Sequence, residues 1–173
     1  VFIGFRMSKE GISVDSSRFD VIKNYPKPTN AKQVRSFLGL VLFFKRFIKS
    51  HCTITAPLRK LLQLNEPFNW NEEHDRSFQT LKDAILSETV LIYPRLNEEF
   101  TVHLDASKHG LGFALSQKVN GIDKFISFNG RSTRKYEQNY SATNLELTAM
   151  TEALTKYHRF LSTAKHFTIK TDH

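Results

Sequence analysis

Thr101-Val102-His103-Leu104-Asp105 and Thr168-Ile169-Lys170-Thr171-Asp172 share one alternation of polar and apolar residues and end on the same residue type. Successive strand side chains point to opposite faces, so Thr101, His103 and Asp105 lie on one face, as do Thr168, Lys170 and Asp172. Each row ends in a carboxylate. Between the two segments, Ser141 to Leu161 is strongly helical and carries Glu146 at the rim of its apolar stripe. A strand, a crossover helix and a second strand predict neighbouring parallel strands with the helix across one face. Hard divalent cations take carboxylate oxygens and little else from a protein. Two strand-borne aspartates and one helix-borne glutamate therefore mark Asp105, Glu146 and Asp172 as the leading candidate cation ligands.

Working outward, Phe100 to Asp105, Leu111 to Lys118 and Ile122 to Phe128 read as three strands. Lys108-His109-Gly110 joins the first two, and Asn120-Gly121, a strong hairpin signal, joins the last two. Ser141 is the expected N-cap of the helix, and Leu147, Met150, Leu154, Tyr157 and Leu161 its expected buried stripe. The order is β-β-β-α-β.

The preceding part has a different character. Val1 to Phe5 and Ile12 to Val14 read as a hairpin with a Gly-containing turn, followed by a short helix from Ser16 or Ser17 to Asn24 that the prolines at 26 and 28 stop. Thr29 or Asn30 caps an amphipathic helix in which Val34, Phe37, Leu38, Val41, Phe44 and Ile48 recur at helical spacing. A short helix is expected from Pro57 to Leu64, with Pro57 in its first turn. Another, capped at Asn71, carries Phe78, Leu81 and Ile85. The sequence thus divides into residues 1–65, a connecting helix and linker over 66–99, and residues 100–173.

Charge follows the same division. Residues 1 to 65 hold 12 Lys and Arg against three acidic residues, whereas residues 66 to 173 hold 13 against 14, so the formal charge of +8 resides in the first third. From Val21 to Asn65 there are nine basic residues and no acidic one. Such a block is the footprint of a polyanion-binding surface, with a solvated basic face as the plainer alternative. Lys32, Arg35, Lys45, Arg46 and Lys49 lie on or beside the amphipathic helix and are the expected phosphate contacts. No apolar run approaches the length of a membrane span. The single cysteine, Cys52, precludes an internal disulfide and predicts no disulfide-linked partner. His103, His109 and His173 have no ligand-spaced partner and read as polar-face residues. Phe43, Phe44 and Phe47 read as helix core rather than base-stacking platforms.

Several runs resemble one family over nearly the whole chain. Phe2-Ile3-Gly4-Phe5, Ser8-Lys9-Glu10-Gly11-Ile12, Val34-Arg35-Ser36-Phe37-Leu38-Gly39-Leu40, Phe47-Ile48, Ala56-Pro57-Leu58 and Phe68-Asn69-Trp70 are similar to the end of the palm, the thumb and the junction to RNase H of reverse transcriptase in the Pol polyprotein of gypsy-type LTR retrotransposons. Leu104-Asp105-Ala106-Ser107, Gly110-Leu111-Gly112, Leu115-Ser116-Gln117, Asn139-Tyr140-Ser141, Glu146-Leu147 and Thr171-Asp172-His173 resemble the RNase H domain of the same polyprotein.

The resemblance implies an α+β fold: a basic helical thumb preceded by a β-hairpin, then an RNase H-like β-β-β-α-β mixed sheet truncated at its C-terminus. It implies that Gly4 and Phe5 belong to a primer-grip hairpin and that the Val34 to Ile48 helix tracks a template-primer duplex. It implies that Asp105, Glu146 and Asp172 are three of four carboxylates holding Mg2+ or Mn2+ for hydrolysis of RNA in RNA-DNA hybrids. The palm aspartates of DNA synthesis would precede Val1 and the fourth carboxylate would follow His173. The expectation is therefore a fragment inactive alone, at work beside the rest of the Pol polyprotein in a cytoplasmic particle or the nucleus. A catalytically inactive, transposon-derived nucleic-acid-binding module is the second reading.

Overall fold

The computed structural model describes residues 4–63, 67–87 and 89–171. Strands β1 (Phe5–Met7) and β2 (Ile12–Val14) form an antiparallel hairpin in which Phe5 faces Val14. Gly11, at φ 144°, closes the turn where an added Cβ would stand 2.1 Å from the carbonyl oxygen of Leu91. Ile12 and Leu91 exchange two backbone hydrogen bonds of 2.8 Å, which tie the hairpin to the later linker. The part of the hairpin expected at Val1 to Ile3 lies outside the described residues. A short helix, α1 (Phe19–Lys23), follows.

Helix α2 (Ala31–Phe44) starts at Asn30, whose side chain accepts from the backbone N–H of Gln33, and buries Val34, Phe37, Val41 and Phe44. The expected continuation to Ile48 is not helical throughout. Residues Lys45–Phe47 tighten into a 3-10 turn and Ile48 is extended. Across this turn Phe47 and Ile48 both stay in the core.

Helix α3 (His51–Lys60) begins six residues before Pro57, against the expectation that Pro57 opens it. The missing proline N–H costs one helical hydrogen bond. Side chains tie the same stretch elsewhere: the Thr55 hydroxyl donates to the carbonyl of His51 at 2.8 Å, and Arg59 Nη2 to that of Cys52 at 2.6 Å. Burial of Cys52, Thr55 and Leu58 supplies the rest. The C-terminal end expected at Leu64 lies outside the described residues. Helix α4 (Glu72–Leu86), closed by a reciprocal cap between Asn71 and His74, buries Phe78, Leu81 and Ile85 against the same core.

Strands β3 (Phe100–Ser107), β4 (Gly110–Val119), β5 (Ile122–Arg131) and β6 (Phe167–Lys170) form a mixed sheet in the order β5-β4-β3-β6. β3 and β6 are parallel and the other pairs antiparallel. Asn120 at φ 52° and Gly121 at φ 78° make the tight β4–β5 turn. Helix α5 (Ala142–Leu161) is capped by Ser141, as its sequence predicts.

The buried row of α5 is Leu145, Ala149, Ala153, Tyr157 and Leu161. The expected row differed: Leu147 is 51% exposed, and Met150 and Leu154 are only partly buried. Ala149 and Ala153 let the helix lie close on Val102, Leu104, Leu111 and Phe113, which a row of leucines would prevent. A second core results, distinct from that of the helical part.

Arg131 locks the end of β5 to both the following turn and α5. Its guanidinium donates to Glu137 at 2.7 and 2.8 Å and to Glu152 at 2.9 Å. Glu137 is 2% exposed and also accepts from the backbone N–H of Arg134 at 2.6 Å. The Arg131 guanidinium holds the Glu137 carboxyl down to about 2. A carboxyl lowered on folding stabilises the fold above its unfolded value and loses that contribution as pH falls from about 4.5 through about 2. Glu137→Gln should destabilise the chain by about 2–3 kcal/mol at neutral pH, since bonds to a charged partner are lost in a buried setting. Urea unfolding checks this, and the gap between variant and wild type should narrow as pH falls from 5 to 3, by about the amount that protonation removes.

Candidate nuclease and nucleic-acid site

Alternation along β3 decides where Asp105 points. Phe100, Val102 and Leu104 face α5 in the second core, which turns Thr101, His103 and Asp105 to the opposite face. There the N-terminus of α3 crosses the sheet. Lys49, Ser50, His103, Asp105, Gly112, Lys170 and Thr171 are among the residues lining a groove of about 420 Å³. The Ser50 hydroxyl donates to Oδ2 of Asp105.

His103 is half-buried, with Nε2 2.8 Å from the Ser116 hydroxyl; burial pushes its imidazole below the ordinary histidine value. Lys170 donates to Asp123 at 2.7 Å, and that bond draws the Asp123 carboxyl below its usual range.

Glu146 occupies the second turn of α5, half-buried and next to buried Leu145. Because β5 and β6 run parallel to β3, the connecting α5 runs back against them, and Phe160 near its C-terminus meets Phe100 at the start of β3. The N-terminal end of α5 therefore belongs to the same end of the sheet as Asp105. Asp172 and His173 lie outside the described residues. Among the described residues no three His, Cys, Asp or Glu side chains come together as a metal site.

The five basic residues expected to meet phosphate are all exposed: Lys32 and Arg35 on α2, Lys45 and Arg46 in the 3-10 turn, and Lys49 after it. Among the described residues none of them forms an ion pair. Arg46 lies over the Phe47 ring at 5.8 Å. Gly4 is buried at φ 79°, and Phe5 stacks on Phe43 at 4.9 Å and on Phe47 at 5.5 Å. Phe44 and Phe47 are core residues, whereas Phe43 is 43% exposed and forms the outer plate of that stack.

Sequence reading did not place Ser50 or Lys170 at the groove. Ser50 meets Asp105 across 55 residues, and no local pattern marks that contact. Lys170 carried the only available signal, as a member of the same polar row as Asp172.

Among the described residues no helix is long and apolar enough to cross a membrane. Residues 70–169 match the RNase H-like domain found in reverse transcriptase. Over 99% of its length the chain is 36% identical to the retrovirus-related Pol polyprotein from transposon 412 and 33% identical to that from transposon gypsy, both of Drosophila melanogaster. It spans only 14% and 17% of those polyproteins. The foamy viral protease-reverse transcriptase has the same fold over 98% of the chain and 23% of its own, with a TM-score of 0.76 at 23% identity, in a complex with RNA/DNA hybrid. A related foamy viral structure with double-stranded DNA matches 98% of the chain and 30% of its own at a TM-score of 0.77. With the mixed sheet, the crossing helix and the family match over most of its length, the chain belongs to the RNase H-like domain family found in reverse transcriptase.

Proposed function

We propose that this chain is the thumb and RNase H portion of a retrotransposon reverse transcriptase, divided near residues 65 and 99, which grips a template-primer or RNA-DNA hybrid and, within the intact enzyme, serves hydrolysis of the RNA strand. The observation that carries this reading is the shared sheet end. Asp105 on β3 and Glu146 at the start of α5 belong to the end toward which β6 runs, Asp105 on the face that α3 crosses and Glu146 on the helix covering the other face, and Asp172 follows β6 in the sequence.

The donor set fits a hard divalent ion, Mg2+ or Mn2+. Asp105 and Glu146 offer carboxylate oxygens alone, and the histidine on the Asp105 face has Nε2 hydrogen-bonded to Ser116. Bound there, two such ions would supply activation of the attacking water and stabilisation of the leaving oxygen. Asp105, Glu146 and Asp172 would hold them. Lys32, Arg35, Lys45, Arg46 and Lys49 would bind backbone phosphates, and Gly4 and Phe5 would present the hairpin to the primer strand. Lys49 lies on the groove itself, so the basic face runs up to the candidate carboxylate. The remainder of the Pol polyprotein would be the physical partner.

The second reading, a binding module without catalysis, is favoured by one observation: five exposed cations have no ion-pair partner among the described residues. Cleavage distinguishes the two. Hybrid cleavage in Mg2+ should be slow for the 173-residue chain and rise by orders of magnitude once the chain is extended through a fourth carboxylate taken from a gypsy-type relative. In the extended form Asp105→Asn should lower the rate at least ~100-fold, equivalent to ~2.7 kcal/mol of transition-state stabilisation. An extended form with no cleavage would leave the binding module as the better account.

Binding has its own signature. Neutralising about four to six phosphates predicts a log-log salt slope on the order of −3 to −5 for hybrid affinity. Replacing any one of Lys32, Arg35, Lys45, Arg46 or Lys49 by Ala should reduce the slope by about 1 with little change in sequence preference. Fluorescence anisotropy across a salt series would show it, and a flat titration would exclude the basic face as the grip.

A further inference from the structure

Ser50 adopts φ 52° and ψ 28°, the left-handed region that residues other than glycine and asparagine enter only at a cost. It is the N-cap residue of α3, where a serine hydroxyl ordinarily accepts from a backbone N–H of the first turn. The Ser50 side chain makes no such bond. Neither the backbone conformation nor the capping role therefore accounts for serine here. Its hydroxyl instead donates to Oδ2 of Asp105.

The surroundings keep that bond in place. Next along α3, Cys52 packs so closely on the β3–β4 turn that a Cβ on Gly110 would stand 2.7 Å from its own. The hydroxyls of Thr53 and Ser107 are 3.3 Å apart, and Arg59 bridges the carbonyl of Cys52 and the side chain of Ser132 beyond β5. Opposite Asp105, Gly112 has no side chain to compete for the carboxylate: a Cβ there would sit 3.6 Å from Oδ2.

We propose that Ser50 is a positioning residue for Asp105. The thumb supplies the hydroxyl that fixes the carboxylate with Oδ2 bonded and Oδ1 left for a divalent ion, so the grip and the candidate catalytic end share one hydrogen bond. Partners of this kind orient ligands by removing their rotational freedom before the ion arrives. The inference rests on Asp105 being a metal ligand, and the experiment separates the two claims.

Mn2+ binding to the 173-residue chain, followed by electron paramagnetic resonance, is the readout. Ser50→Ala and Ser50→Gly should weaken Mn2+ binding about tenfold. Ser50→Asn should stay near wild type, since asparagine tolerates the left-handed conformation and its amide can donate to Oδ2. Glycine suits φ 52°, so the Ser50→Gly chain should unfold at or above the wild-type temperature, and its weaker Mn2+ binding would not be a folding defect. Unchanged binding in Ser50→Gly, with Asp105→Asn defective, would overturn the role of Ser50 and leave Asp105 as a ligand. Tighter binding in Ser50→Gly would mean that the hydroxyl competes with the ion, also overturning the proposal. Wild-type Mn2+ binding by Asp105→Asn would overturn both claims.

Discussion

The seating of α3 across the β3–β4 turn is the contact on which the rest of the arrangement depends. It requires a residue with no side chain at 110, because Cys52 already fills that space. Once seated, the helix brings Ser50 to Asp105, Thr53 to Ser107 and Arg59 to Ser132. On the same face, Ala114 of β4 and Phe128 of β5 join the core of the helical part, while Leu111, Phe113 and Leu115 of β4 and Ile126 of β5, at a shift in the β4–β5 register, belong to the core beneath α5. The sheet is thus covered on both sides by different elements. A groove between a basic segment and a carboxylate is the geometric result.

Electrostatics divide along the same line. Where charge is structural it is paired: Arg131 with Glu137 and Glu152, Lys170 with Asp123, Lys27 with Asp75. The five exposed cations from Lys32 to Lys49 have no ion-pair partner among the described residues. Lone surface cations gain little from the fold, which leaves them open to an anionic ligand. His51, next to Ser50, follows a third rule. Burial, helped by nearby Arg59 and Lys45, drops its imidazole to about 4, so it is neutral at physiological pH and adds nothing to the positive face.

Much of the fold was legible because its signals are local. Period-two alternation marked β3 and β6, Asn120-Gly121 marked the β4–β5 turn, and Asn30, Asn71 and Ser141 marked three helix starts. The errors fell where local rules compete with packing. Pro57 read as a helix start but sits inside α3, because side-chain hydrogen bonds and burial outweigh one lost backbone bond. Leu147 read as core but is half exposed, because alanines let α5 approach the sheet and hydrophobicity alone favours leucine.

For the candidate site, sequence by itself determined the chemistry available: which residues carry carboxylates, which strand face each occupies, and where the uncompensated positive charge lies. Those properties follow from residue identity and from strand and helix periods, which act over a few residues. Tertiary structure alone decided what Asp105 meets. Its neighbours Ser50 and Lys49 lie more than 50 residues earlier in the chain, on a segment brought there by a turn at Lys45–Phe47 and a glycine at 110. A contact set by the packing of two cores leaves no periodic trace in either segment.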